Sequence, residues 1–99
     1  MDDEDDELQE PLSATDAKRM ARTVMRTGEL TFSKHARERM EEREFQSTDV
    51  TNVLRGGTVD DVHFESGSWR YRFNTRTMQV VVVFLGPTTC VVVTVMRTS

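Results

Sequence analysis

A chain of 99 residues is long enough for one small domain with a single modest core. Its net charge of −4 is unevenly placed: residues 1–10 hold seven acids and no base, leaving 10 acids against 13 bases in residues 11–99. The single cysteine, Cys90, excludes an internal disulfide and a zinc cage of thiolates. The N-terminus is acidic where a secretory signal is basic and then apolar, which predicts a cytoplasmic protein.

Residues 1–12 read as an acidic, disordered leader, because like charges repel and almost nothing there can be buried. The body, residues 13–99, reads as one α+β domain. Ser13 or Thr15 caps a first helix whose apolar positions Ala17, Met20, Ala21, Val24 and Met25 follow the stripe of an amphipathic helix. Gly28 ends it, where a left-handed residue is useful. Leu30, Thr31 and Phe32 form a short extended link or strand.

Ser33 caps a second helix from Lys34 to about Glu44, with Ala36, Met40 and Phe45 as its apolar residues and a wide charged surface. Ser47 or Thr48 caps a third, with Val50, Val53 and Leu54 inward and Gly56-Gly57 as its stop. Strand residues follow from Val59 to Glu65, turning at Ser66-Gly67-Ser68. Trp69, Tyr71 and Phe73 then alternate with Arg70 and Arg72, so one face of that strand is buried and the other basic. Asn74 to Thr77 is a hairpin turn.

Met78 to Val95 carries no charge over 18 residues, the length of a short membrane span. Gly86-Pro87-Thr88-Thr89 interrupts it, and Val, Thr and Phe dominate either side, so two central strands covered on both faces, Met78–Leu85 and Cys90–Met96, explain it better than a membrane helix. The predicted architecture is N-terminal helices packed on a four-stranded antiparallel β-meander.

Eleven of the 13 bases are Arg, the cation suited to bidentate phosphate contacts. On the second helix His35, Arg39 and Arg43 fall at i, i+4 and i+8 and share one face. An imidazole beside two guanidinium groups suits an RNA phosphodiester, because histidine exchanges a proton near neutral pH and arginines stabilise the growing phosphate charge. A plain solvated face laced by Glu38, Glu41, Glu42 and Glu44 is the alternative. Arg70 and Arg72 point to one side of their strand with Arg76 at the adjoining turn, and a groove forms if the His35 helix crosses that sheet. Thr94 interrupts the last apolar run and either aims a hydroxyl at the same groove or fills the strand. His63, beside Asp60 and Asp61, either pairs with His35 or sits half exposed. Cys90 reads as an inert core thiol. Two histidines without metal-ligand spacing give no case for a metal, and no phosphate loop or nucleophile elbow is present.

The stretch Phe32-Ser33-Lys34-His35-Ala36-Arg37-Glu38-Arg39-Met40-Glu41-Glu42-Arg43, followed by the Val-x-x-x-Leu-x-x-Gly-like ending between Asp49 and Gly56, resembles a small bacterial family of uncharacterised function. That family opens with a His-Ala-x-x-Arg-Met-x-x-Arg helix, and the resemblance runs from about Leu30 to Met96. The chain departs from the pattern at Glu44, where an Arg-Gly-hydrophobic step calls for glycine. Such domains resemble the RelE, colicin D and barnase group of ribonuclease toxin folds. The resemblance implies metal-independent cleavage of tRNA or mRNA through 2′-hydroxyl attack, without a cofactor. It places His35, Arg39, Arg43, Arg70 and Thr94 in the catalytic site, with Lys34, Arg72 and Arg76 as further RNA contacts. It implies RNA and a cognate antitoxin or immunity protein as partners, and no membrane. The competing function is a non-catalytic module that binds nucleic acid or a protein through the same basic face. Residues 2–10 also carry the charge to fold over such a groove as a phosphate mimic.

Overall fold

The computed structural model describes residues 8–98. Its first helix, α1, spans Ala14–Thr27, and the Ser13 hydroxyl accepts from the Asp16 N–H at 3.1 Å, satisfying one of the free donors of the first turn. Ala17, Ala21 and Val24 are its buried residues. Gly28 follows with φ −110°, so it is extended and not left-handed. It is needed for a different reason: a Cβ there would stand 2.2 Å from the Thr88 carbonyl oxygen. Strand β1 (Glu29–Phe32), helix α2 (Lys34–Arg43) and helix α3 (Ser47–Gly56) come next, then strands β2 (Thr58–Glu65), β3 (Ser68–Asn74), β4 (Met78–Gly86) and β5 (Thr89–Arg97).

Among the described residues the sheet has five strands in the order β1-β5-β4-β3-β2. β1 runs parallel to β5, and the other pairs are antiparallel. The expected four-stranded antiparallel meander is therefore corrected to a mixed five-stranded sheet. Glu29–Phe32 has only Leu30 and Phe32 half buried, an alternation too short to tell a strand from a link. Its parallel partner also lies far along the chain, as parallel pairing requires.

One face of the sheet packs on α1 and α3. Tyr71, Phe73, Val80, Val82, Phe84, Cys90, Val92 and Val95 join the buried residues of these helices in one core. The Tyr71 and Phe84 rings meet edge to face at 5.3 Å, an arrangement favoured by the ring quadrupoles. The expectation that β4 and β5 are covered on both faces fails: buried and half-exposed residues alternate along much of β4, and Leu85 and Met96 are 66% and 42% exposed. Valine-rich sequence marks a strand whether or not both faces are buried.

Two local corrections concern helix ends. Gln46, not Ser47 or Thr48, is the N-cap of α3, and its N–H donates to the Asp49 carboxylate at 2.8 Å. Glu44 ends α2 in the left-handed region, φ 60° and ψ 38°, a conformation that costs an L-residue about 1–2 kcal/mol. The glycine of the family pattern answers that backbone demand.

Residues 1–7 of the acidic leader lie outside the described residues. Residues 8–12 lie against the domain rather than apart from it. Leu8 and Leu12 pack on the core, the Tyr71 hydroxyl donates to the Glu10 carboxylate at 2.8 Å, and it accepts from the Leu12 N–H at 3.0 Å. Burial, chiefly, pushes the Tyr71 phenol up to about 12, with Glu10 raising it further and the Leu12 N–H opposing. No described helix is long and apolar enough to cross a membrane, and Met78 to Val95 lies in the β4–β5 hairpin.

Candidate functional site

The pairing of β1 with β5 stops at Phe32 and Val92, and α2 begins at the next turn of chain, leaning on the rest of β5. Two bonds from Ser33 seat it there and a third caps the helix. The Ser33 N–H donates to the Val92 carbonyl at 2.9 Å, the Ser33 hydroxyl donates to the Val93 carbonyl at 3.3 Å, and the same hydroxyl oxygen accepts from the Ala36 N–H at 3.0 Å. Ala36 is fully buried, the one residue of α2 that is. Its small side chain lets the helix approach the strand closely. At the far end the Arg97 guanidinium donates to the Arg43 carbonyl at 3.3 Å and lies 5.0 Å above the Phe45 ring, a cation–π contact.

Between helix and strand is a hollow of about 340 Å³, lined by His35, Arg39 and Arg43 from α2 and by Thr94, Val95, Met96 and Arg97 from β5. A β-bulge supplies Thr94. Val81 pairs with Thr94 and Val82 with Val92, leaving Val93 as the extra residue. Val92 and Val95 are consequently both buried, and Thr94 keeps the opposite face. Without the extra residue strict alternation would put Thr94 on the core side. Arg39 approaches Glu42 at 3.6 Å, and both side chains are well exposed, so this pair holds Arg39 only loosely.

The structure brings together four of the expected site residues, His35, Arg39, Arg43 and Thr94, and adds Arg97. Arg97 closes a long apolar strand, and nothing in its spacing ties it to a helix more than fifty residues earlier. Arg70 is elsewhere, paired in register with His63 and with its Nε donating to the Glu65 carbonyl at 3.4 Å. Arg72 lies in the cross-strand row Asp61, Arg72, Val81, Thr94, two strands from the hollow and thus about 10 Å away. Its Nε donates to the Asp60 carboxylate at 2.9 Å. Arg76 lines a separate hollow with Asn74 and Thr75. Lys34 is exposed on α2, outside the residues that line the groove. Because α2 leans on β5 instead of crossing the sheet, the arginines of β3 do not converge with it.

His63 is likewise no partner for His35. It stands on β2, at the edge opposite α2, with Nδ1 at 2.7 Å from Asp61 and Nε2 at 2.9 Å from Glu65. Glu65 and then Asp61 raise its pKa by hydrogen bonding to the charged imidazolium. Burial pushes the Cys90 thiol up to about 12, which leaves it protonated and unreactive. Among the described residues no group of three or more His, Cys, Asp or Glu is placed to hold a metal ion.

The groove thus offers one imidazole, three guanidinium groups and a hydroxyl on two elements joined by the Ser33 and Arg97 bonds. This set can hold a phosphate group and exchange a proton beside it. Comparison with curated proteins gives no match, and comparison with solved structures gives none. Residues 32–97 match a family described as a domain of unknown function, DUF4258. The matched stretch runs from the last residue of β1 through Arg97 at the end of β5, spans every residue of the α2–β5 groove and about two thirds of the chain, and the protein therefore belongs to the DUF4258 family.

Proposed function

We propose that the α2–β5 groove binds RNA and cleaves it without a metal ion, as in the RelE, colicin D and barnase group that the α2 motif resembles. The observation that carries the reading is the convergence of His35, Arg39 and Arg43 with Thr94 on one hollow. In the proposed reaction His35 takes the proton of a ribose 2′-hydroxyl, whose oxygen attacks the adjacent phosphorus. The bond to the 5′-oxygen breaks, and the imidazolium returns the proton to that leaving oxygen. The products are a cyclic phosphate and a free 5′-hydroxyl, with no net proton gained or lost. Arg39, Arg43 and Arg97 hold the phosphate and favour the charge that grows on it. Thr94 supplies a hydrogen bond to the same group.

A protein with this activity acts as a toxin and needs a neutralising partner, an antitoxin or immunity protein that covers the groove. The test is inducible expression in a bacterium, wild type beside His35→Ala, with total RNA resolved on a gel and both proteins shown to fold and accumulate equally. Growth arrest with new RNA fragments from the wild type alone supports the reading. Normal growth with intact RNA from both proteins overturns it in favour of a groove that binds a polyanion without cleaving it.

A further inference from the structure

The second cationic face of the molecule lies on α1, before the family-matched residues begin. Lys18, Arg22 and Arg26 stand at i, i+4 and i+8 along its outer side. α3 adds Arg55, whose carbonyl accepts from the Arg22 guanidinium at 3.2 Å. Two adjoining hollows, of about 470 and 420 Å³, run along this face. Arg19 beside them is paired with Asp16 at 2.9 Å. Lys18, Arg22, Arg26 and Arg55 pair with no carboxylate among the described residues. Like charges one helical turn apart repel, so such a stripe is favourable only against a counter-charge.

The sequence holds one nearby. Residues 2–7 are six consecutive acids, Asp2, Asp3, Glu4, Asp5, Asp6 and Glu7, and they join the described chain at Leu8. Leu8 lines a hollow with Arg19, Met20 and Thr23 of α1, so the run joins the described chain beside α1. Six residues reach at most about 21 Å, whereas Lys18 to Arg26 spans only about 12 Å of helix. A tether this short gives an effective concentration in the millimolar range or above, and its charge repels any other polyanion from the same face.

We propose that the α1–α3 face is a carboxylate-binding site, and that its occupant is the run Asp2 to Glu7 of the same chain. The site is separate from the α2–β5 groove and does not depend on the function assigned to that groove.

The experiment keeps the full chain and neutralises the run: Asp2→Asn, Asp3→Asn, Glu4→Gln, Asp5→Asn, Asp6→Asn and Glu7→Gln. NMR spectra of the Arg22, Arg26 and Arg55 N–H groups are compared with wild type. A synthetic peptide of residues 1–10 is then titrated into each protein at two salt concentrations. The expected result is a shift of these signals on neutralisation and peptide binding to the neutralised chain at least about tenfold tighter than to wild type, because the tethered run competes. That binding weakens as salt rises and is lost when Arg22→Gln and Arg26→Gln are added. Unchanged signals, or a neutralised chain that ignores the peptide, overturn the proposal. So does a neutralised chain that binds an RNA oligonucleotide at these arginines but not the peptide, which makes the face a nucleic-acid surface. Loss of a wild-type dimer on neutralisation, seen by sedimentation, also overturns it by placing the run on a second copy.

Discussion

α1 and α2 carry the same cationic spacing on different foundations. Lys18, Arg22 and Arg26 stand on a helix that buries Ala17, Ala21 and Val24 in the main core, whereas His35, Arg39 and Arg43 stand on one that buries only Ala36. α2 is instead fixed through its ends, by Ser33 and by Arg97. What lies opposite each stripe also differs. α2 faces Thr94 and Arg97 across its groove, and among the described residues the α1 stripe faces Arg55. An imidazole with a hydroxyl across from it can exchange protons, while a row of permanent cations can only attract anions. Equal spacing on two helices thus gives two chemistries, decided by one side chain on each helix and by the element it leans against.

Removing the imidazole sharpens that contrast most. His35→Ala should lower the proposed RNA cleavage by about 10²–10⁴-fold, the usual contribution of a proton-transferring group, and leave thermal stability near wild type because His35 is exposed. Arg22→Gln should leave cleavage within a few-fold. Equal losses from both substitutions would erase the distinction between the helices.

The foundations can be broken separately. Ala36→Leu and Ala21→Leu each force extra methylenes into a filled space and should cost about 1–3 kcal/mol, measured by chemical denaturation. Only Ala36→Leu should also abolish the RNA cleavage proposed for the α2–β5 groove, since it pushes α2 off β5. A matching loss of activity from Ala21→Leu would show that the groove depends on the whole core rather than on its own seat.

Tyr71→Phe tests how the segment that leads into α1 is held. It removes the bonds to Glu10 and Leu12 and should cost about 1 kcal/mol. The raised phenol also sets a pH window. Since its pKa rises from 10.0 to about 12 in the fold, its contribution is complete below pH 10 and is lost as pH climbs from 10 to about 12. Denaturation in that range should show a steeper alkaline decline for wild type than for Tyr71→Phe.

The smallest change concerns the end of α2. Glu44→Gly relieves a left-handed L-residue at φ 60° but adds backbone entropy to the unfolded chain. The balance should be a gain of about 0.5–1 kcal/mol, read as a modest rise in the denaturation midpoint. A loss would mean that Glu44 makes an interaction worth more than its strain.

Much of the element order is legible in the residues, because capping and alternation are local. Ser13 and Ser33 cap as their hydroxyls suggest, and Trp69 to Phe73 alternates with the arginines as a half-buried strand must. The His35, Arg39 and Arg43 face is legible for the same reason, since i, i+4 spacing places side chains together wherever the helix packs. Arg70, Arg72 and Arg76 share a strand and its turn, but which helix faces them depends on how α2 is placed against the sheet. Ser33 and Ala36 settle that by seating α2 against β5. Position 44 shows a middle case, where the pattern calls for glycine and only the backbone angle explains why.

The sequence by itself determined the three helices, the β2–β3–β4–β5 order of hairpins and the cationic face of α2, since each rests on side chains near one another in the chain. Tertiary structure decided the parallel addition of β1 to β5, the outward turn of Thr94 at the Val93 bulge and the entry of Arg97 into the groove. These join residues far apart in sequence, and their pairing is set by which faces and edges the packed core leaves available. No local periodicity records that outcome.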